Sequence, residues 1–222
     1  FALQDDQGVR IFGAPVALRI LEGDLPIIEH PDPHIDLAAV PLLPLLNDLN
    51  AQGYNPFVKY LGPHLLPDFD VRTILHAASS VLMIGFPDGL MDEVNNLPLV
   101  RRGTLATHYN ADYYGQTNFV LDVAAFGGSS GSPIFAYFDY IMPLPSGGVN
   151  LTGEAQIYLI GVLHSGPMKT AQGQIVPVPV PTMSSSAVVL TNLTLHLGYC
   201  LKSFRIEELL PVIQTHDKVK HA

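Results

Sequence analysis

Nineteen glycines and nineteen prolines are scattered along the 222 residues as punctuation between short apolar runs. That spacing leaves little room for long helices and predicts many short strands joined by turns, the pattern of an all-β barrel or sandwich. Strands are expected at about 16–21, 35–40, 81–85, 103–108, 119–124, 133–138, 157–164, 188–195 and 198–202. Helical signals are few. The run 42–49 carries Pro44, and the segment after Ser203 meets Pro211 early, which predicts a short or kinked final helix. There is no internal repeat. The Gly/Pro-rich stretch 53–68 is the natural boundary between two halves, residues 1–70 and 71–222.

Composition narrows the function classes. Hydrophobic residues reach 48% and charged residues only 14%, so the chain has a core to build and is no solvating tail. A formal net charge of −9 opposes binding to a phosphate backbone or an anionic membrane surface, which excludes nucleic acid as the expected partner. The stretch 170–201 lacks Asp, Glu, Lys and Arg, but Pro177, Pro179, Pro181 and the serines at 184–186 interrupt it, so it is no membrane span. Cys200 stands alone and can form neither an intrachain disulfide nor a thiolate metal cage; it reads as a small buried hydrophobe. Compartment and oligomeric state stay open.

Two segments carry chemistry. In Gly127-Gly128-Ser129-Ser130-Gly131-Ser132-Pro133 the glycines free the backbone to expose a serine and aim amide N–H groups at one point, as an oxyanion site requires; the same heptapeptide also suits an ordinary turn. In His34-Ile35-Asp36-Leu37-Ala38-Ala39-Val40, alternation sets Ile35, Leu37 and Ala39 on one face and Asp36 with Ala38 and Val40 on the other. Asp36 there either faces solvent or orients a partner such as an imidazole.

In this order the two segments resemble the trypsin-like (chymotrypsin-fold) serine peptidases, particularly bacterial members without disulfides and the glutamyl endopeptidases. The resemblance implies a double antiparallel β-barrel with a short C-terminal helix, and a serine endopeptidase acting on polypeptides without metal or cofactor. Asp36 matches the triad aspartate, Ser130 the nucleophile, and the N–H groups of Gly128 and Ser130 the oxyanion hole. Residues 81–87 match the strand and turn that open the second barrel. Residues 158–166 match the strand lining the substrate pocket, with His164, Ser165 and Gly166 as substrate-binding residues. His164 has two readings, a ligand for an acidic P1 side chain or a strand histidine satisfied in the core. Arg101 and Arg102 likewise either attract an acidic substrate or form a solvated strand end.

The family's catalytic histidine precedes the aspartate by several dozen residues. Here only His30 and His34 precede Asp36, in a proline-rich turn, and neither fits; His76 follows it. The expectation is a chain whose first barrel is incomplete and whose catalytic histidine lies outside these residues. Two alternatives remain open. A peptidase-like domain without the histidine would only bind peptides. Alternatively, Gly127-Gly128-Ser129-Ser130-Gly131 fits the Gly-x-Ser-x-Gly elbow of an α/β-hydrolase esterase with Ser129 as nucleophile, which would need a helix after it.

Overall fold

The computed structural model describes residues 1–18, 20, 23, 25–174 and 188–220. The triple-proline and triple-serine stretch therefore lies outside the described residues, as do Arg19 and Leu21 of the expected strand at 16–21. Six strands form a closed antiparallel barrel: β1 (Ser80–Gly85), β2 (Leu99–Leu105), β3 (Asn118–Asp122), β4 (Pro133–Phe138), β5 (Gln156–Ser165) and β6 (Leu197–Lys202). Around the barrel the order is β1-β2-β3-β6-β5-β4, with β4 returning to pair with β1. The first three strands form a meander and the fourth comes back beside the first, a Greek-key path. Closure leaves no open sheet edge to attract another strand.

Side-chain alternation explains why these segments close around one core. Val81 and Met83 of β1, Phe119 and Leu121 of β3, and Ile134, Ala136 and Phe138 of β4 lie at every second position and are buried together with Ile160, Leu163 and Cys200. Gly161 lets β5 pass close to its neighbours. A Cβ there would stand 2.2 Å from the Leu201 carbonyl oxygen and 2.7 Å from the Phe119 ring, and the pairing register with β4 shifts just before it. Tyr109, 1% exposed, donates its hydroxyl to the Ile160 carbonyl at 3.0 Å and lies 3.3 Å from Ser203 Oγ, tying the chain before β3 to the start of the last helix.

The sequence placed the start of this barrel near Val71. Instead, Val71 lies in a short helix, α2 (Phe69–Ile74), whose N-terminus Asp68 caps by accepting the Val71 N–H at 2.8 Å. Val71, Ile74 and the following Leu75 plug one end of the barrel core. The hairpin Met168–Gln174 with Val188–Thr194 stands outside the barrel, so the strand expected at 188–195 adds nothing to its wall.

Before the barrel the chain is less regular than expected. Its only described ladders are two-residue pairs, Leu3–Gln4 with Arg10–Ile11 and Ile28–Glu29 with Ala38–Ala39. The apolar run with Pro44 forms helix α1 (Leu43–Ala51), because proline at the first turn loses no intrahelical hydrogen bond. The last helix, α3 (Phe204–Lys220), is the expected short C-terminal helix and carries Pro211 within it. It presents Ile206, Leu209, Leu210 and Ile213 at helical spacing to the Ile28–Glu29/Ala38–Ala39 pair and the barrel.

Phe119 fills the barrel centre at 0% exposure, so Phe119→Ala should cost about 3–5 kcal/mol in chemical denaturation. Val149→Ala, at a site 60% exposed, should stay within about 0.5 kcal/mol of the parent.

Candidate active site

The Gly127–Ser132 loop enters β4 under tight backbone control. Gly131 N–H donates to the Leu163 carbonyl at 2.7 Å and Leu163 N–H to the Ser132 carbonyl at 3.0 Å, lacing the loop to β5. On the other side Asp88 N–H donates to the Gly127 carbonyl at 2.8 Å. Carbonyl 127 and N–H 128 belong to one trans peptide and point opposite ways, so that bond turns the Gly128 N–H away from Asp88. Among the described residues neither Gly128 N–H nor Ser130 N–H donates to a backbone carbonyl. Gly128 sits at φ +73°, and a Cβ there would lie 2.9 Å from Asp88 N, so the turn demands glycine twice over.

The two candidate serines are sorted by burial. Ser129 is 1% exposed, and its Oγ lies 3.4 Å from Phe126 N as acceptor. Ser130 is exposed and donates its hydroxyl to the His164 carbonyl at 3.0 Å. The loop runs on into strand β4 of an antiparallel barrel, not into the helix and parallel sheet that a nucleophile elbow requires. The esterase reading with Ser129 loses its structural setting.

Asp36 and Ser130 line one cavity of about 550 Å³ together with Ala38, Leu163, His164 and the apolar side of α3. The alternation expected around Asp36 holds, with Ile35, Leu37 and Ala39 half-buried and Asp36 exposed. The carboxylate accepts no hydrogen bond among the described residues, yet its charge acts on His164.

His164 sits at a β-bulge, where the register of β5 against β6 shifts between Leu163 and Ser165. Its Nδ1 lies 3.0 Å from Ser165 Oγ, and its buried Nε2 has no hydrogen-bond partner among the described residues. Burial pushes this imidazole below the usual histidine range, and Asp36 offsets part of that shift. A second cavity, about 250 Å³, lies on the other side of Ser130 between Ala125–Gly127 and the segment 163–168, closed by Leu197. His164, Ser165 and Gly166 line it, and among the described residues the rest of its wall besides Gly127 and Ser130 is Ala125, Phe126, Leu163, Pro167, Met168 and Leu197. An acidic side chain entering it would have to share the imidazole with Asp36 and face mostly hydrocarbon.

Arg101 and Arg102 line neither cavity. Arg101 donates to the Ala124 carbonyl and stacks on Phe126, while Arg102 stacks on Tyr137, so both brace the barrel exterior. Cys200 is fully buried, and burial raises its thiol pKa well above the usual range, which leaves it inert. Sequence reading missed Asp88, although Pro87-Asp88-Gly89 is a turn signature and Asp88 adopts φ 49° there.

No family of known proteins matches the sequence, and neither the curated proteins nor the solved structures contain a match.

The depressed His164 pKa fixes a sign for pH dependence. The unfolded chain binds its proton at higher pH than the folded one, so this histidine's contribution is present above about pH 6.5 and is lost as pH falls. Denaturation curves between pH 7.5 and 5 should fall less steeply in His164→Gln than in the parent; equal slopes would show that His164 is not held neutral by the fold.

Proposed function

We propose that the chain is the greater part of a trypsin-like serine endopeptidase, with Ser130 as nucleophile. The single observation that carries this reading is the meeting of Ser130 and Asp36 on one cavity beside a loop that leaves the Gly128 and Ser130 N–H groups free. In this reading the closed barrel is the second of two, residues 1–70 belong to the first, and the base is a histidine outside these 222 residues, in the space between Asp36 and Ser130. That imidazole takes the Ser130 proton as Oγ attacks the scissile carbonyl, Asp36 holds its tautomer, and the tetrahedral oxyanion accepts from the Gly128 and Ser130 N–H groups. The histidine then returns the proton to the leaving amine, and water repeats the sequence to free the acid.

The pocket beyond Ser130 takes the P1 side chain, and its hydrocarbon wall favours an aliphatic residue over Glu. A peptide library cleaved after Leu, Val or Met supports that assignment, whereas a preference for Glu that His164→Ala removes would return His164 to the role of acid receptor. A peptide-binding domain without catalysis is the second reading, and it rests on the same cavity. The two differ on covalent chemistry.

Loss of the base of a serine peptidase costs on the order of a millionfold in kcat, so the 222 residues alone should label barely at all with a fluorophosphonate. Joined to the segment bearing the histidine, the protein should label rapidly. Ser130→Ala should abolish that labelling and Ser129→Ala should spare it, while Gly128→Ala should slow it roughly 10²–10³-fold by spoiling one oxyanion donor. Labelling that survives Ser130→Ala would overturn the assignment.

A further inference from the structure

Asp36 belongs to a loop of an otherwise thin hairpin, and a two-residue ladder is too little to hold a carboxylate in place. What closes the loop is His30. Its N–H donates to the Leu37 carbonyl at 3.0 Å, and its Nδ1 accepts the Asp32 N–H at 3.1 Å, while Asp32 Oδ1 accepts the His34 N–H at 3.0 Å. The His30 side chain is 1% exposed, and its Nε2 lies 3.1 Å from Glu208 Oε2 on α3. Among the described residues Nε2 has no hydrogen-bond partner, so this contact holds the ring against α3 by packing and proximity. Glu208 is in turn gripped by Arg205, at 2.8 and 3.2 Å, and Arg205 donates to Thr117 Oγ1 beside β3 at 3.0 and 3.2 Å.

We propose that His30, Glu208 and Arg205 form a clamp that positions Asp36, fastening its loop through α3 to the barrel so that the carboxylate stands against the Ser130 cavity. The three are positioning residues; none lines that cavity, although Arg205 lines a neighbouring one of about 300 Å³ together with Asp36 and His164. The Arg205 links are half-buried hydrogen bonds with one good geometry, and the His30 ring is buried against Glu208 at their end. The clamp deepens the peptidase reading, in which Asp36 must meet an imidazole, but its geometry is independent of catalysis.

Asp36 acts on His164, so the His164 ring reports where Asp36 is. The test is the NMR titration of the His164 ring proton in the 222-residue chain, with near-ultraviolet circular dichroism to establish that each variant is folded. Asp36→Asn should lower the His164 titration midpoint by removing the favourable charge. Glu208→Ala, and Arg205→Lys, which keeps the charge but loses the two-pronged grip, should lower it in the same direction by most of that amount, and Glu208→Ala combined with Asp36→Asn should lower it no further than Asp36→Asn alone. Glu208→Gln keeps the shape of the link and should give a smaller shift. Folded Glu208→Ala and Arg205→Lys chains with parental His164 midpoints would overturn the clamp. So would a Glu208→Ala shift that persists undiminished on the Asp36→Asn background, which would mean that Glu208 reaches His164 by another route. The catalytic reading is judged separately by labelling: a clamp that passes the titration while Asp36→Asn leaves labelling of the protein with its histidine segment unchanged would remove Asp36 from catalysis and keep the clamp.

Discussion

The site depends on the lacing of residues 131–132 to Leu163, two backbone hydrogen bonds of 2.7 and 3.0 Å that fix a glycine-rich loop to the edge of β5. Without them the loop would be the flexible turn its composition suggests. With them Ser132 is buried, Ser129 faces inward, and Ser130 alone of the three is left exposed, over His164. The Asp88 N–H then sets the one remaining freedom, the orientation of the peptide between Gly127 and Gly128. The Gly/Ser loop is thus tied to the barrel on one side and to the Pro87–Gly89 turn on the other.

This division of labour runs through the molecule. The barrel is closed, apolar inside and strongly determined. The residues before it are joined mostly by single contacts: a two-residue ladder, a proline-started helix, the His30–Glu208 link and the Arg10 guanidinium on the carbonyls of Asn95 and Asn96. Many large apolar side chains there stay exposed, among them Phe12 at 65% and Tyr60 at 74%. In the proposed double barrel such side chains belong to the face that meets the rest of the first barrel. The cavity between Asp36 and Ser130 is then a seat shaped by both halves, with the apolar side of α3 as its back wall.

The sequence was most informative where local pattern and tertiary contacts agree. Strand 133–138 was legible to the residue, because alternating Ile134, Ala136 and Phe138 follow a proline that can only begin a strand. Asp36 and Ser130 were singled out from two separate segments, and the structure lines one cavity with both. What misled was each place where a distant contact overrides a local signal. The alternation at 35–40 is real in burial, but only Ala38 and Ala39 find a strand partner, so most of the segment is extended chain without a ladder. His164 suggested an acid-binding residue from its place in β5, whereas the bulge and the nearness of Asp36, neither visible in one dimension, give it another neighbour. His30 was set aside as a catalytic base, and nothing in its own segment announces a carboxylate on a helix far along the chain.

A crystal structure of the protein, with its histidine-bearing segment, bound to a peptidyl boronic acid carrying an aliphatic P1 side chain tests the central claim most directly. The account predicts a covalent bond from boron to Ser130 Oγ, one boronate oxygen about 3 Å from both the Gly128 and Ser130 nitrogens, and the aliphatic side chain against Ala125, Met168 and Leu197. Boron on Ser129 or Ser132, or a peptide seated in the cleft with Ser130 unmodified, would contradict it.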